Sequence, residues 1–188
     1  MTMLTQWTSE GILTPATSHK LSLFLDLLME WNARVNLTGL RTRQEMEEVL
    51  IGESLSAARI FPMSNKSVLD VGSGAGIPGI VWAIYDPTIR LTSLEIREKK
   101  IAFQKDVQRS LDLNVEVIKG VFPEAVANRT FDVIATRAVR YTPILAAQAT
   151  ALLTPGGFLV RFAGAGALEP DWESRPITPR ASLLIRRI

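Results

Sequence analysis

The chain has 188 residues, 47% of them hydrophobic, enough for one full core in a single domain with an appendage. Its 21 Lys and Arg against 19 Asp and Glu leave a net charge of +2, so any affinity for a polyanion must come from clustered cations. The absence of cysteine and the single histidine, His19, exclude disulfides, a cysteine nucleophile and His-rich metal sites, and no metal is expected. Residues Met1–Trp7 lack the basic and apolar regions of a signal peptide, and no apolar run reaches the ~20 residues that span a bilayer. A cytoplasmic monomer without membrane contact is the expectation.

The first predicted element is an amphipathic helix over 18–36, with Leu21, Phe24, Leu25, Leu28, Trp31 and Val35 at steps of three and four and Thr17 or Ser18 as its cap. A second helix runs from Thr42 to Ile60, with Glu45, Glu47 and Glu48 near its start. Residues 1–62 are therefore expected to form a helical cap, and 63–188 a second, larger unit. From Ser67 onward strand and helix alternate: strands are predicted at 67–72, 90–95, 115–119, 131–136 and 157–162, helices at 77–85, 97–111 and 142–153. That alternation argues for a mostly parallel sheet with right-handed helical crossovers. Pro155-Gly156-Gly157 is expected to stop the last helix, and the tail around Trp172, Pro176 and Ser182–Ile185 to add two edge strands, seven in all.

The most informative stretch is Val68-Leu69-Asp70-Val71-Gly72-Ser73-Gly74-Ala75-Gly76-Ile77-Pro78-Gly79. A buried strand empties into a turn whose glycines can adopt left-handed backbone and admit a close ligand. The dinucleotide fingerprint would need a third glycine at position 77, where Ile77 stands. The spacing D-x-G-x-G-x-G instead resembles the first motif of S-adenosylmethionine-dependent methyltransferases, with a purely structural turn as the alternative. In an open parallel sheet the ligand lies beyond the carboxyl ends of the strands. Glu95, 19 positions beyond Gly76, ends the second strand, where a carboxylate can accept the hydroxyls of a ribose. Val121 and Phe122 follow the third strand, placed to line an adenine. Arg137 follows the fourth, directly after the uncharged run Val133–Thr136, with a surface cation at a helix end as the alternative reading. Asp70 can hold the turn by accepting backbone N–H bonds, or bind an amino group of the ligand indirectly; the structural role is favoured.

Absences narrow the chemistry. Cytosine-C5 methylation needs a cysteine nucleophile. Exocyclic amine methylation goes with an Asn/Asp-Pro-Pro-aromatic turn, where this chain reads Thr136-Arg137-Ala138-Val139. A ring nitrogen with a free lone pair, such as guanine N7, needs no general base, which leaves positioning and electrostatics as the catalytic burden.

From about residue 20 onward the chain resembles the bacterial small-subunit ribosomal RNA guanine-N7 methyltransferases, the glucose-inhibited division protein B family. The resemblance rests on Glu30-Trp31-Asn32 with Asn36-Leu37-Thr38, on Leu69–Gly79, on Glu95 with Lys99, Lys100 and Phe103, and on Phe131–Ile134 with Arg137-Ala138. It implies a Rossmann-like methyltransferase fold, S-adenosyl-L-methionine as cofactor and the small ribosomal subunit or its RNA as partner. Donor contacts would carry over to Gly72, Ile77, Val121, Phe122 and Arg137; with Ser73, Gly74, Gly76 and Glu95 these make up the expected cofactor site. Arg137 is also the candidate catalytic group, orienting or electrostatic. The chain departs from the family pattern at Leu50 and Glu53 (His and Asp expected), Gly120 (Arg), Phe122 (an acid) and Ala163 (Lys). A cofactor-binding module without turnover and a small-molecule methyltransferase are the competing readings. For the RNA reading, Arg34, Arg41, Arg43, Arg97, Lys99, Lys100 and Arg140 are candidate rim cations.

Overall fold

Thr14 and Pro15 start the first long helix three residues earlier than its periodicity suggested. The Thr14 side chain accepts from the Thr17 amide at 3.1 Å, and Pro15 takes the first helical position, where a missing N–H costs nothing. The computed structural model describes residues 1–188. It places α1 at Met3–Ser9 and α2 at Pro15–Val35. Then come α3 (Arg43–Glu45), a π-helical segment Met46–Gly52 and α4 (Glu53–Ile60), end to end. α1 carries too short a pattern to be read from sequence. It is held by tertiary contact, with Leu4 buried and its amide donating to Glu47 Oε1 at 2.8 Å.

The strands are β1 (Ser67–Val71), β2 (Arg90–Glu95), β3 (Val115–Lys119), β4 (Phe131–Thr136), β5 (Leu153–Gly164), β6 (Glu173–Thr178) and β7 (Ala181–Arg187). Between them run α5 (Gly79–Tyr85), α6 (Glu98–Ser110), a 3-10 turn at Glu124–Val126 and α7 (Pro143–Ala151). They form one seven-stranded sheet in the order β3-β2-β1-β4-β5-β7-β6, parallel through β5 and antiparallel at β7 and β6. This is the predicted Rossmann-like sheet, with two corrections. Pro155-Gly156-Gly157 lies inside β5 rather than ahead of it: pairing already begins at Leu153, and the register slips between Phe131 and Val133 to absorb the insertion. The last two strands are not both edges. β7 is buried from Ala181 to Ile185 and sits between β5 and β6, whereas β6, polar and carrying Pro176, is the edge.

Each face of the sheet has its own core. Val68, Leu91, Val133, Val160, Leu183 and Ile185 pack under α2, α4, α5 and α6 with the fully buried Trp82, Phe24 and Phe103. Leu69, Leu94, Ile134 and Leu159 pack on the other face against Val126 and the α7 residue Ala149. Strand order reverses between β1 and β4, so a crevice opens beyond their carboxyl ends.

Candidate active site

β1 delivers its last residue into a turn in which Gly72, Gly74 and Gly76 all have positive φ, at 67°, 60° and 77°. A side chain at Gly72 would strike Val139 at 2.8 Å, and one at Gly76 would strike Ile80 at 2.4 Å, so both positions are closed by packing as well as by backbone. At Gly74 the nearest group is the Lys100 ammonium, 3.5 Å from where a Cβ would lie. The turn is tied to β2: the Gly72 and Ser73 amides donate to the Leu94 carbonyl at 2.9 and 3.1 Å.

Glu95 ends β2 and is buried, with both carboxylate oxygens in use. Oε2 accepts from the Gly74 amide at 2.8 Å, and Oε1 accepts from the Ile96 and Arg97 amides at 2.9 and 3.0 Å. A carboxylate oxygen has two acceptor directions, so Oε2 keeps one for a further donor. Ser73 points away from the crevice. Its hydroxyl accepts from Gln104 Nε2 at 2.8 Å, and the same amide donates to the Gly74 carbonyl at 2.8 Å. Gln104 Oε1 accepts from Ser93 at 2.6 Å, which completes a fully buried clip between α6, β2 and the turn. Gln104 was missed from sequence, although a signal existed: it interrupts the apolar stripe Ile101, Val107, Leu111 on one helix face.

A second polar group sits where β1 and β4 end side by side. Asp70, opposite Ala135 in the sheet, is fully buried. Its Oδ2 accepts from the Gly79 amide at 3.0 Å at the start of α5, the structural role expected for it. Gly79 is needed there, since a Cβ would come within 2.8 Å of that oxygen. Burial pushes the Asp70 carboxyl up to about 7, against the Gly79 hydrogen bond and the Arg137 charge, which lower it. Arg137 is not a surface cation. Its Nη2 donates to Glu53 Oε2 at 2.6 Å and to the Val49 carbonyl at 3.3 Å, and its guanidinium lies 5.1 Å over the Phe162 ring. Burial lowers the Arg137 pKa while Glu53 and Asp70 pull it back up. The π-helical segment and α4 thus supply both acceptors; π-turns recur at functional sites because they re-aim helix residues. Three buried polar atoms at these strand ends have no partner: Asp70 Oδ1 and Arg137 Nη1 on the α5 face of the sheet, and Thr136 Oγ1, one residue out of phase, on the α7 face.

The crevice itself is a cleft of about 400 Å³ whose wall includes Gly72, Glu95, Lys100, Val121, Phe122 and Val139. Of the residues expected at the site, Gly72, Glu95, Val121 and Phe122 meet on this wall. Ser73, Gly74, Gly76 and Ile77 are not on that wall: Gly74 and Gly76 shape the turn, Ser73 is tied to α6 and Ile77 packs in the larger core, while Arg137 stands with Asp70. Phe122 packs on the smaller core, and Val121 and Ile96 are exposed at the mouth. Gly120 has a local reason to be glycine: a Cβ there would meet that of Ala125 at 2.3 Å in the following 3-10 turn. Among the rim cations, Arg34 pairs with Glu30 and Arg43 with Asp26, whereas Arg97 and Lys100 line the cleft.

Comparison with known proteins identifies the family and the fold. A family model described as GidB, rRNA small subunit methyltransferase G, matches residues 17–176. The chain is similar to a Ribosomal RNA small subunit methyltransferase G of Geobacter metallireducens, 35% identical over 179 residues, covering 94% of this chain and 81% of that protein. It is also similar to the protein of the same name from Burkholderia lata, 36% identical over 167 residues, covering 86% and 72%. Among solved structures, a methyltransferase from Pyrococcus furiosus superposes with a TM-score of 0.61 at 17% identity, covering 90% of this chain and 98% of that one. An RNA methyltransferase from Salinibacter ruber in complex with S-adenosyl-L-homocysteine gives 0.59 at 17% identity, covering 72% and 89%. These two likenesses concern the fold.

Proposed function

The chain belongs to the rRNA small subunit methyltransferase G family, and on that premise we propose that it transfers a methyl group from S-adenosyl-L-methionine to N7 of a guanine in small-subunit ribosomal RNA. The observation that carries the site assignment is the pair of unpartnered buried atoms on one face of the sheet, at the ends of β1 and β4. Asp70 Oδ1 is an acceptor and Arg137 Nη1 is a donor. An amino-acid zwitterion satisfies this set: its ammonium would be held by Asp70 and its carboxylate by Arg137. Glu95 would take a ribose hydroxyl at the free direction of Oε2, and Val121 and Phe122 would cover the adenine. The residues therefore fit the cofactor.

When bound, S-adenosylmethionine supplies an electrophilic methyl group on a sulfonium. The protein's task is then to aim it. Glu95 is engaged with three backbone amides, Arg137 cannot act as a base at neutral pH, and Asp70, the carboxyl pushed up to about 7, would be taken by the cofactor's ammonium, so no group is left to remove a proton from the acceptor. Guanine N7 attacks with its own lone pair and needs none removed. Catalysis by orientation and exclusion of water suits that acceptor. Arg137, buried and fixed by Glu53, reads as a grip on the cofactor rather than a group that touches guanine.

The test is methylation of small ribosomal subunits that lack N7-methylguanine, with parent protein and Arg137→Ala side by side. The parent should form N7-methylguanine. The variant should bind S-adenosylmethionine at least about tenfold more weakly, about 1.4 kcal/mol, while its single-turnover rate at saturating cofactor stays near the parent's. A parent that binds cofactor and methylates no subunit overturns the activity. A variant with normal affinity and a collapsed single-turnover rate overturns the role given to Arg137.

A further inference from the structure

The connection from β5 to β6 spans only residues 165–172 and contains no helix, whereas β1–β2, β2–β3 and β4–β5 are each bridged by one. The α7 side of β5 and β7 is therefore left partly uncovered beyond α7. A cavity of about 870 Å³ opens there, between the α7 start, the carboxyl end of β5 and the short connection. Val139 lines both this cavity and the cofactor cleft, so the two are separated by about one side chain.

The cavity wall has more donors than acceptors. Arg161 pairs with Glu169 at 2.7 Å and lies 5.0 Å over the Tyr141 ring, which in turn stacks edge-on against Trp172. The Tyr141 hydroxyl is shielded from solvent and has no partner. Burial raises its pKa, so it stays a neutral donor at physiological pH. Arg186, on β7, acts electrostatically on that hydroxyl and makes no ion pair of its own. Glu169 is the wall's carboxylate, and Arg161 already occupies it. Apolar side chains flank the opening: Ile144 and Leu168, next in sequence to the lining residues Pro143 and Glu169, are 71% and 84% exposed.

We propose that this cavity binds a backbone phosphate of the RNA strand beside the methyl-acceptor guanine, between Arg186, Arg161 and Tyr141, with Glu169 as the carboxylate that the phosphate displaces. This rests on the RNA methyltransferase reading above. Unmatched donors and a free cation call for a ligand that brings negative charge and several acceptor oxygens, and arginine forks match phosphate geometry. The shared wall at Val139 favours the strand as the source, because a base presented to the cofactor cleft lies within about one side chain of this opening. Ile144 and Leu168 give the adjoining nucleotide an apolar surface.

Binding of naked small-subunit rRNA in the presence of S-adenosylhomocysteine tests the assignment without requiring turnover. Arg186→Ala should weaken binding about tenfold and lower the slope of log K against log[KCl] by about 0.7, one phosphate contact on a single strand. Glu169→Gln should strengthen binding severalfold, because it frees Arg161. Both variants should bind S-adenosylhomocysteine like the parent in calorimetry, and both should show the parent's circular dichroism. Unchanged rRNA binding in both variants, or a shift of both in the same direction, overturns the proposal. So does an effect of Arg186→Ala on GMP binding with none on rRNA, which would mark a free-nucleotide site, or an effect on intact subunits with none on naked rRNA, which would mark a protein contact. If the opposed shifts appear but the parent makes no N7-methylguanine, the phosphate site stands and the activity falls.

Discussion

Asp70 shows how much one buried carboxyl can do in this fold. Its ordinary pKa of 3.8 is raised to about 7 by burial, so between those values the native state holds a proton that the unfolded state has released. Stability from this group is full below about pH 4 and is lost as pH rises to about 7, at about 1.4 kcal/mol per pKa unit. Asp70→Asn, which mimics the protonated form, should match the parent near pH 4.5 and exceed it in thermal stability at pH 8; a difference independent of pH would show that Asp70 is ionised in the native state throughout. The neighbouring pair Arg137–Glu53 is nearly buried on both sides. Glu53→Ala leaves the guanidinium uncompensated and should cost about 3 kcal/mol in urea denaturation, with Glu53→Gln costing less because it can still accept one hydrogen bond. Equal and small losses for both would mean that Arg137 simply turns to solvent. Arg137 was legible as an out-of-place charge, and Asp70 as the acid before the glycines. Their environment was not, because Glu53 lies 84 residues before Arg137 and burial depth has no local signature.

At the level of elements, α6 governs the shape of the glycine turn through Gln104. Its three hydrogen bonds reach Ser73, Gly74 and Ser93, so the helix, the turn and β2 move as one body. Gln104→Leu keeps the volume but orphans the Gly74 carbonyl and the Ser93 hydroxyl, each unsatisfied group costing about 1–3 kcal/mol, and leaves Ser73 only its donation to the Leu94 carbonyl. The variant should unfold at lower urea and bind S-adenosylmethionine more weakly; unchanged affinity in a folded variant would show that the turn keeps its shape without the clip. The central strands were readable because a strand buried on both faces is an apolar run, and Leu69, Ile134 and Val160 announce themselves that way. The later elements were harder. β7 is apolar on both faces, Leu183 and Leu184 alike, which distinguishes a strand that is covered on both sides from an edge; reading the tail by its prolines obscured this. The π-helical segment at Met46–Gly52 leaves the residue pattern of a helix intact and changes only the hydrogen-bond step, so it is invisible to periodicity.

For the molecule as a whole, the net charge of +2 gives little long-range attraction to RNA, so the grip must be local. Twelve of the 21 cations make no ion pair, and four of these lie at the carboxyl edge of the sheet. Arg97 and Lys100 border the cofactor cleft, Lys99 lies between them on α6, and Arg140 is exposed in the segment between the two cavities. By contrast, Arg34, Arg43, Arg90, Arg109, Lys119 and Arg129 are drawn into ion pairs with neighbouring carboxylates. If the RNA crosses the mouth of the cleft, Lys99 and Arg140 each meet a phosphate without being part of the cofactor site. Removing both as Lys99→Ala with Arg140→Ala should lower the slope of log K against log[KCl] for small-subunit rRNA by about 1.4, two contacts at about 0.7 each. The loss should concern RNA alone, because neither side chain is bonded to the glycine turn or to Glu95. S-adenosylhomocysteine binding should therefore be unchanged. An unaltered salt slope would place the RNA elsewhere on the surface, since two exposed cations at the edge of an occupied cleft cannot be lost without releasing fewer counterions.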